Sequence, residues 1–223
     1  MDIKIIVGIV ILSILVFVIG VFIPGGEVQQ EQSLPWQIET TADGASRVFG
    51  ITLGSSTLRE AEGQLQDVAE VSLFTSDSQQ HIVEAYFDKV SLGGLSARVV
   101  LVMDVHESEL QVMYQRGTRI STLGSGANKV TLTDNDLSKV MQAPIASLTY
   151  LPRITLEETL LVKRFGEPVE RIVEVETNTV HWLYPDFGLD IARDEKGHAV
   201  FQYVRPDRFA SVIAPLRNRH NIK

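Results

Sequence analysis

The chain has 223 residues with ordinary apolar and charged fractions, 44% and 22%, so it can build real hydrophobic cores and is not a disordered polymer. It has no cysteine, which excludes a disulfide scaffold, a Cys-ligated metal or iron–sulfur centre, a thiol nucleophile and a lipidated N-terminal cysteine. The formal charge of −8 arises between Pro24 and Tyr150, where 16 acidic residues face 8 basic ones, while Leu151–Lys223 holds 11 of each; an acidic body of this kind argues against nucleic acid as a partner.

In chain order, Ile5–Ile23 is an uncharged apolar run interrupted only by Gly8, Ser13 and Gly20. As a helix it would span about 28 Å, the hydrocarbon thickness of a bilayer, and it is apolar on every face. The run is longer than a signal-peptide core and ends Phe22-Ile23-Pro24-Gly25-Gly26 without a small-x-small site, so a retained transmembrane helix over 5–23 is expected. Lys4 precedes it and no Lys or Arg follows before Arg47. The positive-inside rule then puts residues 1–4 in the cytoplasm and the body in the periplasm, as a single-pass inner-membrane protein. Residues 24–33, polar and glycine-containing, read as a flexible tether.

A first α+β unit is expected over 34–106. Trp36–Ile38 and Arg47–Phe49 flank the turn signal Asp43-Gly44. Leu58, Ala61, Leu65, Val68 and Ala69 then share a helical face, with Thr57 and Glu60 placed as a capping box. His81–Phe87 alternates as a strand, and Ala97–Asp104 is so continuously apolar that it predicts a strand covered on both faces. A connecting, partly helical segment follows over 107–151. Glu107–Arg116 reads as a helix capped by Gly117, Ser121–Lys129 as a loop, Asp134–Gln142 as a helix and Ile145–Leu151 as a strand. A second α+β unit occupies 152–209. Thr155 and Glu158 are spaced as a capping box, Leu156, Leu160, Leu161 and Phe165 form the apolar stripe, and Gly166 stops the helix. Four strands follow, the last two joined by Asp194-Glu195-Lys196-Gly197, and 210–223 is a tail with a basic cluster, Arg217, Arg219, His220 and Lys223.

The two units align with each other. Ile51-Thr52-Leu53 repeats as Ile154-Thr155-Leu156, and the same offset of 103 places Gly63 on Gly166. In the second copy, the helix ending Phe165-Gly166-Glu167-Pro168, then His181-Trp182-Leu183-Tyr184, then a glycine-turned hairpin, resembles the small outer-membrane assembly lipoproteins of the SmpA/OmlA (BamE-like) type. That family's fold, helices on one face of a three-stranded antiparallel sheet, is also similar to the unit of the tandem β-lactamase inhibitor protein. The resemblance covers Arg153–Val204 and, more loosely, Gly50–Asp104, without the family's lipidated cysteine. It implies two related helix-on-antiparallel-sheet units, so the expected fold class is α+β behind the membrane helix; an envelope protein as partner is expected from the body's location and its lack of catalytic spacing.

No nucleophile elbow, zinc-binding helix, P-loop or dinucleotide turn is present, and neither a cofactor nor a metal is expected. His106, between Asp104 and Glu107, is the one place where imidazole and carboxylates gather, and it would carry an enzymatic reading if one applied. The alternative for residues near this point is a polar strand–helix boundary. Trp182 and Tyr184, two apart on a strand, are the candidate partner-binding residues if they share an outer face; otherwise they pack with Phe187, Phe201 and Tyr203. The functional expectation is a non-enzymatic interaction or scaffold protein of a bacterial envelope complex, with an inhibitor or small-ligand module as the alternative.

Overall fold

Many strand residues between 70 and 204 alternate buried and open positions, and that alternation collects most of the apolar side chains on one face of one sheet. The computed structural model describes residues 34–75, 80–124 and 126–221. A small antiparallel sheet comes first: β1 (Glu39–Thr40), β2 (Ser46–Val48) and β3 (Ile51–Thr52). Helix α1 (Leu58–Leu65) leads into a meander of β4 (Glu70–Thr75), β5 (His81–Leu92) and β6 (Leu95–Met103). Helix α2 (Glu107–Arg116), the hairpin β7 (Arg119–Thr122) and β8 (Asn128–Thr131), helix α3 (Asp134–Val140) and strand β9 (Ile145–Pro152) follow. Then come α4 (Glu158–Phe165), a second meander of β10 (Glu170–Glu174), β11 (Thr179–Tyr184), β12 (Leu189–Arg193) and β13 (Ala199–Val204), and the final helix α5 (Pro206–Asn221).

All the strands from β4 onward belong to one ten-stranded sheet, ordered β10-β11-β12-β13-β9-β6-β5-β4-β8-β7. The expectation of two separate units is therefore corrected: β9 pairs with β6 on one side and β13 on the other, welding the two meanders together. The helices also begin 100 residues apart rather than 103, at Leu58 and Glu158, so Gly63 lies inside α1 whereas Gly166 ends α4 with φ +80°. From Ser33 onward the chain forms one compact unit.

The sheet carries most of its cover on one face. There the small sheet and α1, α2, α3 and α4 contribute Phe49, Leu58, Met113, Val140 and Leu161 to a core with Leu73, Phe87, Leu101, Tyr150 and Phe201 from the strands. An aromatic group forms its centre, with Phe49 at 5.0 Å from Tyr150 and 6.2 Å from Tyr203 between ring centroids. The opposite face is covered under the second meander by α5, whose Phe209, Ile213 and Leu216 pack on Ile172, Leu183 and Val204. The segment expected as a tail is thus largely helix. Strand β6 departs from its reading too: Ala97, Val99 and Leu101 are buried in the main core, but Val100 and Val102, which alternate with them on the opposite face, are only half-buried.

A further correction concerns the membrane. Crossing a bilayer takes about 20 consecutive apolar residues in a helix. Among the described residues no helix is long and apolar enough to cross a membrane; α5, with 16 residues, carries arginines along its length. The fold class is corrected accordingly, for the described residues, to a mostly-sheet α+β body built on one ten-stranded sheet, and no described helix supports the expected single-pass, inner-membrane placement. Residues 5–23, where that helix is expected, lie outside the described residues.

Candidate functional site

A concavity lies at the free end of the second meander, between the start of α4 and the turns β10–β11 and β12–β13. It has a volume of about 540 Å³. Its floor is Trp182, flanked on β11 by Val180. Trp182 is only 2% exposed, because arginines from both neighbouring strands lie against its ring. Arg171 stands directly across from it on β10, its guanidinium 4.3 Å from the ring centroid, and Arg193 reaches diagonally from β12 at 5.6 Å. Cation–π contacts of this kind contribute about 0.5–2 kcal/mol each.

The helix supplies the counter-charge. Glu158 Oε1 is 3.4 Å from Arg171 Nη1, and its Oε2 is 3.4 Å from Arg193 Nη1. This use of Glu158 explains why the expected Thr155–Glu158 capping box does not form. The N-cap is Glu157, with no side-chain cap bond, and helix α4 starts at Glu158 itself. Thr155 instead lies against the β12–β13 turn, where a Cβ at Gly197 would come within 2.8 Å of its methyl group. Arg193 Nη2 donates to the Leu156 carbonyl at 3.4 Å, and its buried Nε has no hydrogen-bond partner among the described residues. Across the mouth, Asn178 Nδ2 donates to Glu195 Oε1 at 2.9 Å, tying the two turns together. Beside them the Asp194 carboxyl is held below the usual carboxylate range, chiefly by its bond with His198.

Tyr184 shares the Trp182 face of β11 but lies deeper, beneath α4. Its hydroxyl donates to the Gly166 carbonyl at 3.0 Å, its ring lies 5.8 Å from Phe165, and burial pushes its pKa up to about 12. Trp182 and Tyr184 therefore point toward the covered side of the sheet; only Trp182 reaches a cleft. His181 and Leu183 take the other face, where His181 Nδ1 meets Asp190 Oδ2 at 2.8 Å.

The residues around His106 do not converge. His106 caps α2, its Nδ1 accepting from the Ser108 amide at 3.3 Å. Glu107 turns to His81 Nδ1 at 2.7 Å, and Asp104 faces Arg208 at 4.0 Å. Among the described residues no group of three or more His, Asp or Glu side chains could hold a metal ion. Sequence reasoning reached Trp182 but not Arg171, Arg193 or Glu158, because only strand register brings them together. The available signal was an arginine placed so that hairpin pairing of Glu170–Glu174 with Thr179–Tyr184 sets it opposite the tryptophan.

Compared with known proteins, the chain matches no family model, no curated protein and no solved structure.

Proposed function

We propose that this protein is an interaction module, one that holds a partner protein at the Trp182 cleft as part of a larger assembly. The observation that carries this is a tryptophan floor held between two arginines that share one carboxylate. Tryptophan and arginine are the residues in which interface hot spots are enriched, and here both are anchored by rigid strands. A small-ligand module is the second reading, favoured by a volume that falls among small-molecule sites; the charged lining argues against it, since such sites are mostly apolar.

The test is site-specific photocrosslinking in cells. A photoreactive residue replaces Lys196, an exposed residue on the cleft rim, or Lys89, exposed and outside the cleft, in the full-length chain. Position 196 should give a discrete protein adduct that position 89 does not. Arg193→Gln, checked for an unchanged fold by circular dichroism, should reduce that adduct tenfold or more. Equal adducts from both positions, or none from 196, would reject the cleft as a partner site.

A further inference from the structure

The face of the sheet opposite the main core differs between its two halves. Under the second meander α5 lays Phe209, Ile213 and Leu216 on Ile172, Leu183 and Val204. Its arginines reach acids of the sheet, Arg217 meeting Glu170 at 2.6 Å and Arg208 meeting Asp104 at 4.0 Å. Across β9, β6, β5 and β4 the same face carries Leu151, Val100, Val102, Ile82 and Phe74. These five are only half-buried and belong to neither hydrophobic cluster.

Most charges along this strip are matched: Glu70 pairs with Lys129 at 2.5 Å, Asp88 with Arg153 at 3.1 Å, and Asp104 with Arg208. The exceptions stand at its two ends. Glu84 lies between Ser72 and Val102, and Arg98 lies beside Leu151, with Lys89 next to it in the bulge between Phe87 and Val90. None of the three has a hydrogen bond or ion pair among the described residues. Arg119, on β7, is three strands from Glu84, about 14 Å and too far to pair. Glu84 is the costly member, since burial raises its carboxyl and no cation of the fold offsets the loss of water. Along β6, Arg98 is four residues from Val102, the neighbour of Glu84, so the opposite charges are about 13 Å apart along the strands. From this pattern we infer that the β9–β6–β5–β4 strip docks an amphipathic helix of a partner protein, laid along β6 beside α5, with a lysine or arginine over Glu84 and an acid over Arg98. Residues seven apart share a helix face and lie about 10.5 Å apart, and long side chains cover the rest. The helix dipole favours the acid toward the N-terminus and the base toward the C-terminus, which sets the polarity of the helix. α5 is the precedent within the chain: an apolar stripe on this face, its cations on carboxylates of the sheet. A second copy fits less well. Sheets packed face to face lie about 10 Å apart, whereas the α5 helices of both copies would need about 20 Å. The strip is on the other side of the sheet from the Trp182 cleft, and the inference does not depend on that site.

The experiment uses the full-length chain and a fluorescein-labelled helical peptide of about 18 residues. It carries leucines at i, i+3, i+4 and i+7 and, on the same stripe, one glutamate seven residues before one lysine. Fluorescence anisotropy should show saturable binding, and a peptide with the two charges exchanged should bind at least tenfold more weakly. Glu84→Gln should weaken binding of the first peptide at least fivefold while raising the melting temperature of the free protein, a split that a purely structural carboxylate would not give. Arg119→Gln should leave binding unchanged. The double variant Glu84→Lys/Arg98→Glu should invert the preference between the peptides; if circular dichroism shows it unfolded, Glu84→Gln and Arg98→Gln decide. Equal affinity for the two peptides, no saturable binding, or undiminished binding to Glu84→Gln would each overturn the inference. So would a parent chain that sediments as a dimer and becomes monomeric with Glu84→Gln, because a second copy would then cover the strip.

Discussion

Two tyrosines in the same aromatic core show how a single hydrogen bond decides the sign of a substitution. Both Tyr150 and Tyr203 are fully buried, and burial raises the pKa of each, Tyr150 to about 12. The Tyr203 hydroxyl donates to the Pro35 carbonyl at 2.8 Å, whereas that of Tyr150 has no hydrogen-bond partner among the described residues. A buried polar group without a bond costs its full desolvation, and a satisfied one is expensive to orphan. Tyr150→Phe should therefore stabilise the protein by up to about 1 kcal/mol, and Tyr203→Phe should destabilise it by about 1–2 kcal/mol, read from urea unfolding midpoints. Glu84 gives a prediction with a pH window. Burial among Ser72 and Val102 of the neighbouring strands pushes its carboxyl above its ordinary value of 4.5. The folded state then favours the protonated acid, so a penalty is fully present above the folded pKa and disappears below about 4.5. Glu84→Gln should raise the melting temperature at pH 7 by about 1–2 °C, and the gap between variant and parent should close as pH falls to 4.5.

The two cap-like sequences separate at the level of elements. Thr57 and Glu60 form the reciprocal box: the Glu60 amide donates to Thr57 Oγ1 at 3.3 Å and the Thr57 amide to Glu60 Oε2 at 2.9 Å. Thr155 and Glu158 have the same spacing without the bonds. Thermal melts should show Thr57→Ala costing about 1 kcal/mol and Thr155→Ala about 0.5 kcal/mol or less. A motif states which bonds the backbone could accept; here the arginines at Trp182 make the stronger claim on Glu158. Much else at this scale was legible. Helix α2 starts and stops where its charges and Gly117 indicate, and the turn before β13 lies at Asp194-Glu195-Lys196-Gly197, with Gly197 at φ +83°. The β7–β8 hairpin was not, because its glycines, serines and asparagine carry no apolar alternation and its pairing is fixed by β4, which binds β8 from the far side. Gly117 has a second role that spacing does not reveal: a Cβ there would come within 2.1 Å of Val130, so the glycine lets α2 descend onto β8.

For the whole molecule, the helix-then-strands pattern was readable in each half, but the single sheet was not. Nothing in Ile145–Leu151 announces that this strand will join both meanders, since its apolar alternation is satisfied by any two neighbours. The same limit hid the site, whose arginines are ordinary charged residues until register places them on Trp182. The long-range closure also determines how the protein comes to be finished. Ser46 donates to the carbonyl of Phe187 at 2.7 Å, 141 residues ahead, and Pro35 waits for Tyr203 across 168 residues. Ribosomes add about 5–20 residues per second, so about 8–30 s separate the synthesis of Phe49 and Ile51 from that of Phe201 and Tyr203, which help enclose them. In that interval the amino-terminal strands are a segment looking for any apolar surface, and the chain's yield in a cell becomes a question of what meets them first.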